Sequence, residues 1–214
     1  LDFYAPQTLR TADGRRVMIA WMQNWASAGA KPSNCRWFGQ MTLPRELSVR
    51  DGRLYQVPVR ELERYRGKCV TYTGVPISGE TSLPGVRGRV LDLTVTVRPD
   101  GSGPCRWFCI RVAKDGPYET LIRYRPGDGV LKLDRTRSGL PHDIVHTRKF
   151  AVRPGDGAIK LRIILDRFSV EVFVNDGEQA ASTVIYTRQE AEDITFEAGG
   201  SVLVDVEKYD LIVD

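Results

Sequence analysis

Carboxylates, thiols and imidazoles are the groups in this chain that could do chemistry. Asp166 and Glu171 sit five positions apart in Asp166-Arg167-Phe168-Ser169-Val170-Glu171, and two facing carboxyl groups are the equipment of acid–base or nucleophilic catalysis. On one regular strand, however, an odd spacing sends them to opposite faces, so they are not read as a catalytic pair. Cys105, Cys109, His142 and His146 spell C-x3-C…H-x3-H, donor types that suit zinc. The gap between the two halves is longer than the ~12–15 residues of a zinc finger, and no metal site is assigned. Cys105 and Cys109 are expected on a common strand, ~13 Å apart and beyond disulfide reach. With Cys35 and Cys69 they read as reduced, structural thiols. No cofactor is implied.

The remaining candidates are aromatic and concentrated at the start of the chain. Three blocks follow one another between residues 2 and 47: Asp2-Phe3-Tyr4-Ala5-Pro6-Gln7-Thr8, then Trp21-Met22-Gln23-Asn24-Trp25, then Trp37-Phe38-Gly39-Gln40-Met41-Thr42-Leu43-Pro44-Arg45-Glu46-Leu47. In this order they resemble the last third of the catalytic domain of glycoside hydrolase family 32, which comprises invertases, levanases, inulinases and sucrose-6-phosphate hydrolases. The resemblance implies an all-β protein, the end of a five-bladed β-propeller followed by a C-terminal antiparallel β-sandwich. It also implies retaining hydrolysis of a β-fructoside, sucrose or a fructan. That route needs two carboxyl groups about 5–5.5 Å apart. In the family the nucleophile sits in an Asn-Asp-Pro-Asn block, a ring-holding aspartate in Arg-Asp-Pro, and the acid/base in Glu-Cys. Here Asn175-Asp176 is followed by Gly177, Arg50-Asp51 by Gly52, and no glutamate precedes a cysteine. No catalytic residue is therefore assigned, and the chain alone is expected to be inactive. Its intramolecular partner would be the earlier part of the propeller.

What the resemblance does place here is the wall of the sugar pocket, with Asp2, Tyr4 and Trp21 as substrate-binding residues. An aromatic face packs on the apolar C–H face of a furanose while the hydroxyls bond at its edge. Phe3, Trp25 and Trp37 read as filling gaps between blades, and such packing is the competing reading for Tyr4 and Trp21. Trp25 is expected to be a large buried ring. Arg45 and Glu46 read as a strand-end ion pair at the domain junction. The second half resembles the family's sandwich through Asp166 to Glu178, through Leu133-Asp134-Arg135-Thr136, and through Ser138-Gly139.

Strands must position these groups. Arg16 to Trp25 is an apolar, aromatic run preceded by the turn Asp13-Gly14, the signature of a buried strand. Ala26 to Asn34 is a loop, and Arg36 to Leu43 a second strand that Pro44 ends. Asp51-Gly52 marks a hairpin between Leu47–Arg50 and Arg53–Val57. Pro58 to Tyr65 is the one helical stretch, with proline in its first turn and Gly67 as its stop. Gly74 to Gly88 is expected to be irregular. Beyond it, Leu91/Leu93/Val95/Val97, Ile159/Leu161/Ile163/Leu165, Val170/Val172/Val174 and Val202/Val204/Val206 alternate with more polar residues. Each set turns one apolar face to a core and a polar face away. Turns at Pro99-Asp100-Gly101, Pro126 to Gly129, Pro154 to Gly157 and Asn175-Asp176-Gly177 separate them. That rhythm predicts a β-sandwich. The expected division is residues 1–57 as the last part of the propeller, 58–68 as a short helical linker and 69–214 as the sandwich.

Composition narrows the partners. The 214 residues carry a net charge of +4 without a basic run, which argues against a nucleic-acid patch. No apolar stretch approaches the ~20 residues of a membrane span. The chain starts with neither Met nor a leader, as a processed or truncated product would. Four unforced cysteines and the lack of an Asn-x-Ser/Thr sequon favour a cytoplasmic over a secreted protein. A free-standing carbohydrate-binding or interaction module is the alternative function, since β-sandwiches host many.

Overall fold

The computed structural model describes residues 1–213 apart from 28, 33, 34 and 38. Two antiparallel sheets dominate it. The first contains β1 (Tyr4–Arg10), β2 (Arg16–Trp21), β3 (Arg45–Arg50) and β4 (Arg53–Pro58), in that spatial order. The Asp51-Gly52 turn has φ of 49° and 72°. Two left-handed residues in succession match the right-handed twist of the flanking strands. β2 buries Val17, Met18 and Ala20, whereas β1 is exposed along its whole length.

Several local expectations are corrected in this half. β2 stops at Trp21, and Trp25–Ser27 forms a 3-10 turn. Of the expected loop 26–34, residues 28, 33 and 34 lie outside the described residues, as does Phe38 of the expected strand 36–43. Among the described residues of that segment, only Met41 makes a bridge, opposite Trp21. Gly39 has φ of +83°, a left-handed step that turns the chain before a ladder can form. The connector is a 3-10 helix over Arg60–Tyr65, and Pro58 belongs to β4. Leu62 is its one buried residue, too little apolar surface to hold a regular α-helix in place.

The second sheet has ten strands: β5 (Arg66–Thr81), β6 (Leu91–Pro99), β7 (Phe108–Asp115), β8 (Tyr118–Arg125), β9 (Val130–Arg137), β10 (Thr147–Ala151), β11 (Ile159–Asp166), β12 (Ser169–Val174), β13 (Gln179–Val184) and β14 (Asp193–Leu211). β14 joins its two halves. Residues 193–198 pair with β7, and residues 202–210 with β6. The register slips between them, at Gly199-Gly200, where Gly200 has φ of +136°. This break lets one strand serve two layers. The layers close on a core that includes Leu91, Leu93, Val95, Phe108, Ile110, Ile122, Leu161, Ile163, Val172, Phe196 and Val204.

The expected irregular segment from Gly74 is instead the second half of β5, which reaches Thr81. Among the described residues β5 pairs only with β14, and an edge strand tolerates Pro76 because no neighbour needs its missing N–H. Gly74 and Gly79, with φ of 65° and 98°, coincide with register slips against β14. Gly74 lies in a bulge of β5, and at Gly79 the extra residues belong to β14, so neither glycine interrupts the strand. β12 also departs from alternation, since all six of its residues are buried. Val170, Val172 and Val174 join the main core. Phe173, on the opposite side, packs with Leu62, Ile164 and Leu211, against which Leu43 also rests.

Candidate functional site

Asp2 lies before β1, and its amide donates to the carbonyl of Ser182 in β13 at 3.1 Å. One carboxylate oxygen accepts from Asn24 Nδ2 at 2.6 Å. The other accepts from the Val184 amide at 2.8 Å and pairs with Arg135 Nη1. Arg135 also donates to Thr183 Oγ1 at 3.2 Å and twice to the Val145 carbonyl, at 3.1 and 2.9 Å. Both charged side chains are 0% exposed. Asp2 thus turns away from solvent and into the contact between the sheets. One of its oxygens is held by Asn24 and the other by Arg135 and the Val184 amide.

A second buried pair runs parallel to the first. Arg45 Nη2 donates to Glu171 at 2.6 Å, Arg45 Nη1 donates to Gln56 at 2.9 Å, and Ser182 Oγ accepts from Nη2 as well. The Leu43 amide donates to Glu171 at 2.6 Å. Burial pushes the Glu171 carboxyl up, against the opposing pull of Arg45 and the Leu43 amide. The guanidinium also lies 4.8 Å from the Phe3 ring centre and 5.2 Å from that of Phe173. The expected Arg45–Glu46 pair is therefore corrected: adjacent residues on a strand point to opposite faces. Glu46 instead accepts from Arg15 and Arg60, each at 2.8 Å. Arg60, then Arg15, hold its carboxyl down at about 2, against the opposing cost of burial.

Tyr4 and Trp21 face each other in the β1–β2 register. Ala5, with φ of 46°, opens a register slip between Tyr4 and Gln7, and a bulge re-aims the side chain beside it. The Tyr4 ring comes to 6.4 Å from Trp21 and 5.8 Å from Trp25, centre to centre. Trp25 is 82% exposed and Trp21 37% in these 214 residues, so Trp25 is not buried by the part of the propeller present here. Its place in a 3-10 turn after β2 carries it off the sheet. Phe3, Trp37 and Met41 are exposed too. A Cβ added at Gly39 would stand 2.7 Å from Trp21 Nε1, so the indole lies directly on glycine backbone. The result is an open aromatic wall, fitted to bind and orient an apolar ring face. Tyr4 and Trp21 form it, whereas Asp2 is enclosed beside Arg135.

The other candidates stay apart. Asp166 and Glu171 lie on successive strands, β11 and β12, because Arg167-Phe168 makes a hairpin turn where one continuous strand was expected. Asp166 accepts from the Arg167 amide at 2.7 Å, while Glu171 is committed to Arg45. All four cysteines are free thiols, and Cys105 precedes β7 instead of sharing it with Cys109. Among the described residues, no group of three or more His, Cys, Asp or Glu is placed to hold a metal. Arg135 and Glu171 were missed as junction residues. The one available signal for Glu171 was a charge inside the apolar run Val170-Glu171-Val172.

Comparison with known proteins agrees with this architecture. Residues 1–58 match the family model described as glycosyl hydrolases family 32 N-terminal domain, and residues 61–211 the one described as glycosyl hydrolases family 32 C terminal. The chain is 38% identical to a raffinose invertase of Escherichia coli, over 95% of this chain and 41% of the relative. It is 32% identical to a sucrose-6-phosphate hydrolase of Staphylococcus xylosus, over 98% of this chain and 42% of the relative. Its fold superposes on the exo-inulinase of Aspergillus awamori with a TM-score of 0.83 at 23% identity, covering 98% of this chain and 43% of that one. The chain therefore spans well under half the length of these relatives.

Proposed function

Because this chain belongs to glycoside hydrolase family 32, we propose that it forms the last propeller strands and the C-terminal sandwich of a retaining β-fructofuranosidase acting on sucrose or a fructan. The observation that carries this reading is the exposed wall of Tyr4 and Trp21, set on a blade edge and backed by Gly39. Such a wall binds and orients a furanose ring. The retaining reaction itself needs a nucleophilic carboxylate and a carboxylic acid that protonates the leaving oxygen. None of the family's three carboxylate blocks occurs in these 214 residues, and the pairs found here serve the junction. The chain's own part is to complete the sugar wall and to hold the blade against the sandwich through Asp2–Arg135 and Arg45–Glu171.

Two measurements test this. The purified 214-residue chain should release no reducing sugar from sucrose, levan or inulin above a protein-free control. In the intact enzyme, Trp21→Ala should lower kcat/KM for the fructoside roughly a hundredfold, or about 2–3 kcal/mol. Hydrolysis by the isolated chain, or full activity of Trp21→Ala, overturns the reading.

A further inference from the structure

The segment that carries Trp37, Gly39 and Gln40 lies directly behind Trp21, and it is held from the sandwich. Phe168, at the tip of the β11–β12 hairpin, packs edge-on against Trp37 with ring centres 5.9 Å apart. Its carbonyl accepts from Gln40 Nε2 at 2.9 Å and from the Ile185 amide at 2.9 Å. Tyr186 backs the Phe168 ring at 6.3 Å, and its hydroxyl donates to the Ala30 carbonyl at 3.3 Å. The same segment makes backbone bonds to β2 and its end, Met22 N to Gln40 O at 2.7 Å and Thr42 N to Ala20 O at 2.8 Å.

The hairpin tip is itself anchored. Arg89 is buried, and burial pulls its guanidinium down to about 10, so it stays cationic at neutral pH. It donates twice to the Arg167 carbonyl, at 3.0 and 2.9 Å, and to Thr187 Oγ1 at 2.7 Å. Gln189 adds a third donor to the Arg167 carbonyl at 2.9 Å. Three charged or amide donors on one carbonyl fix a two-residue turn that would otherwise be free to rock. The chain of contacts runs from Arg89 to Arg167, Phe168, then Trp37 and Gln40, and ends at Gly39 beneath Trp21.

We propose that Phe168 is a positioning residue: through Trp37 and Gln40 it sets the height of the Gly39 backbone, and so the pose of the Trp21 ring. The consequence for fructoside turnover rests on the sugar-wall reading given above. The sandwich then contributes to the reaction without touching the substrate.

The test uses the intact enzyme carrying 5-fluorotryptophan, with the Trp21 and Trp37 resonances assigned by their loss in Trp21→Phe and Trp37→Phe. Phe168→Ala should shift both resonances well below its thermal midpoint. It should lower kcat/KM roughly tenfold, since small misplacements of a positioned group are costly, while Phe168→Tyr stays within about twofold. Gln40→Ala breaks the same clamp from the loop side and stands in if Phe168→Ala does not fold. A lower melting temperature with unmoved Trp21 and Trp37 resonances makes Phe168 mere packing and overturns the proposal. If Trp21→Ala is costly and Phe168→Ala is not, positioning fails while the wall stands. If Trp21→Ala costs nothing, the wall reading fails, and the Trp21 resonance alone decides whether Phe168 positions it.

Discussion

Replacing Asp2 by Ala probes the junction at its most buried charge. The substitution removes the carboxylate that neutralises Arg135, whose side chain is wholly enclosed. Arg135 keeps Thr183 Oγ1 and the Val145 carbonyl, but these are neutral acceptors. The Val184 amide also loses its partner at 2.8 Å. A buried ion left alone costs about 3–5 kcal/mol, and the orphaned amide lies within that range of effects. For a protein of this size each kcal/mol moves the midpoint by about 2–4 °C, so Tm should fall by roughly 6–20 °C. Replacing both partners, with Asp2→Ala and Arg135→Met together, should recover most of the loss, because neither desolvated charge then remains. Thermal and urea unfolding of the four members of this cycle give the coupling energy. If Asp2→Ala costs under about 1 kcal/mol, or the double variant is as unstable as the sum of the singles, the pair does not hold the junction.

Three further outcomes follow from the same structure. Trp25→Ala should change stability by no more than about 0.5 kcal/mol, as expected of a surface ring; a loss of several kcal/mol by urea unfolding would mean the ring is covered. Gly177→Ala should cost at least about 1–3 kcal/mol, because φ is +95° and a Cβ would stand 2.3 Å from the Gln56 carbonyl oxygen, whereas Gly52→Ala, at φ of +72° in open space, should lose less. Urea midpoints of the two variants side by side decide it, and equal losses would contradict the close approach of the turn to β4. Glu46 is held at about 2 against a usual 4.5, so its pairing with Arg60 and Arg15 stabilises the fold fully above pH 4.5 and is lost as pH falls toward 2. The stability gap between wild type and Glu46→Gln should close across that window, and a gap that stays constant from pH 5 to pH 2 would contradict it.

Much of the molecule was legible along the chain. Leu91, Leu93, Val95 and Val97, like Ile159, Leu161, Ile163 and Leu165, are all buried as their alternation demanded, because a strand's period of two is local geometry. Asp51-Gly52 and Asn175-Asp176-Gly177 turn the chain where their left-handed residues allow. Glycine and proline misled where their role depended on a neighbour. Gly74, Pro76 and Gly79 look like breaks until β14 lies alongside: Gly74 then sits in a bulge of β5, and Pro76 pairs in register with Leu203. Arg167-Phe168 carries no glycine, and only the pairing of β11 with β12 reveals it as a turn.

The aromatic blocks and their order were sufficient to identify the family, since they are written in residue types. Which of those residues face solvent was not. Asp2 and Tyr4 are two positions apart, yet one is enclosed with Arg135, 133 residues further on, and the other lies open beside Trp21. Arg45 and Glu46 are adjacent, yet one crosses to Glu171 and the other stays with Arg15 and Arg60. A side chain's type and its face on a strand are local properties that a sequence carries. Its partner is whatever the folded chain brings to that face, and a charge is buried only where tertiary packing supplies its counter-ion and hydrogen bonds.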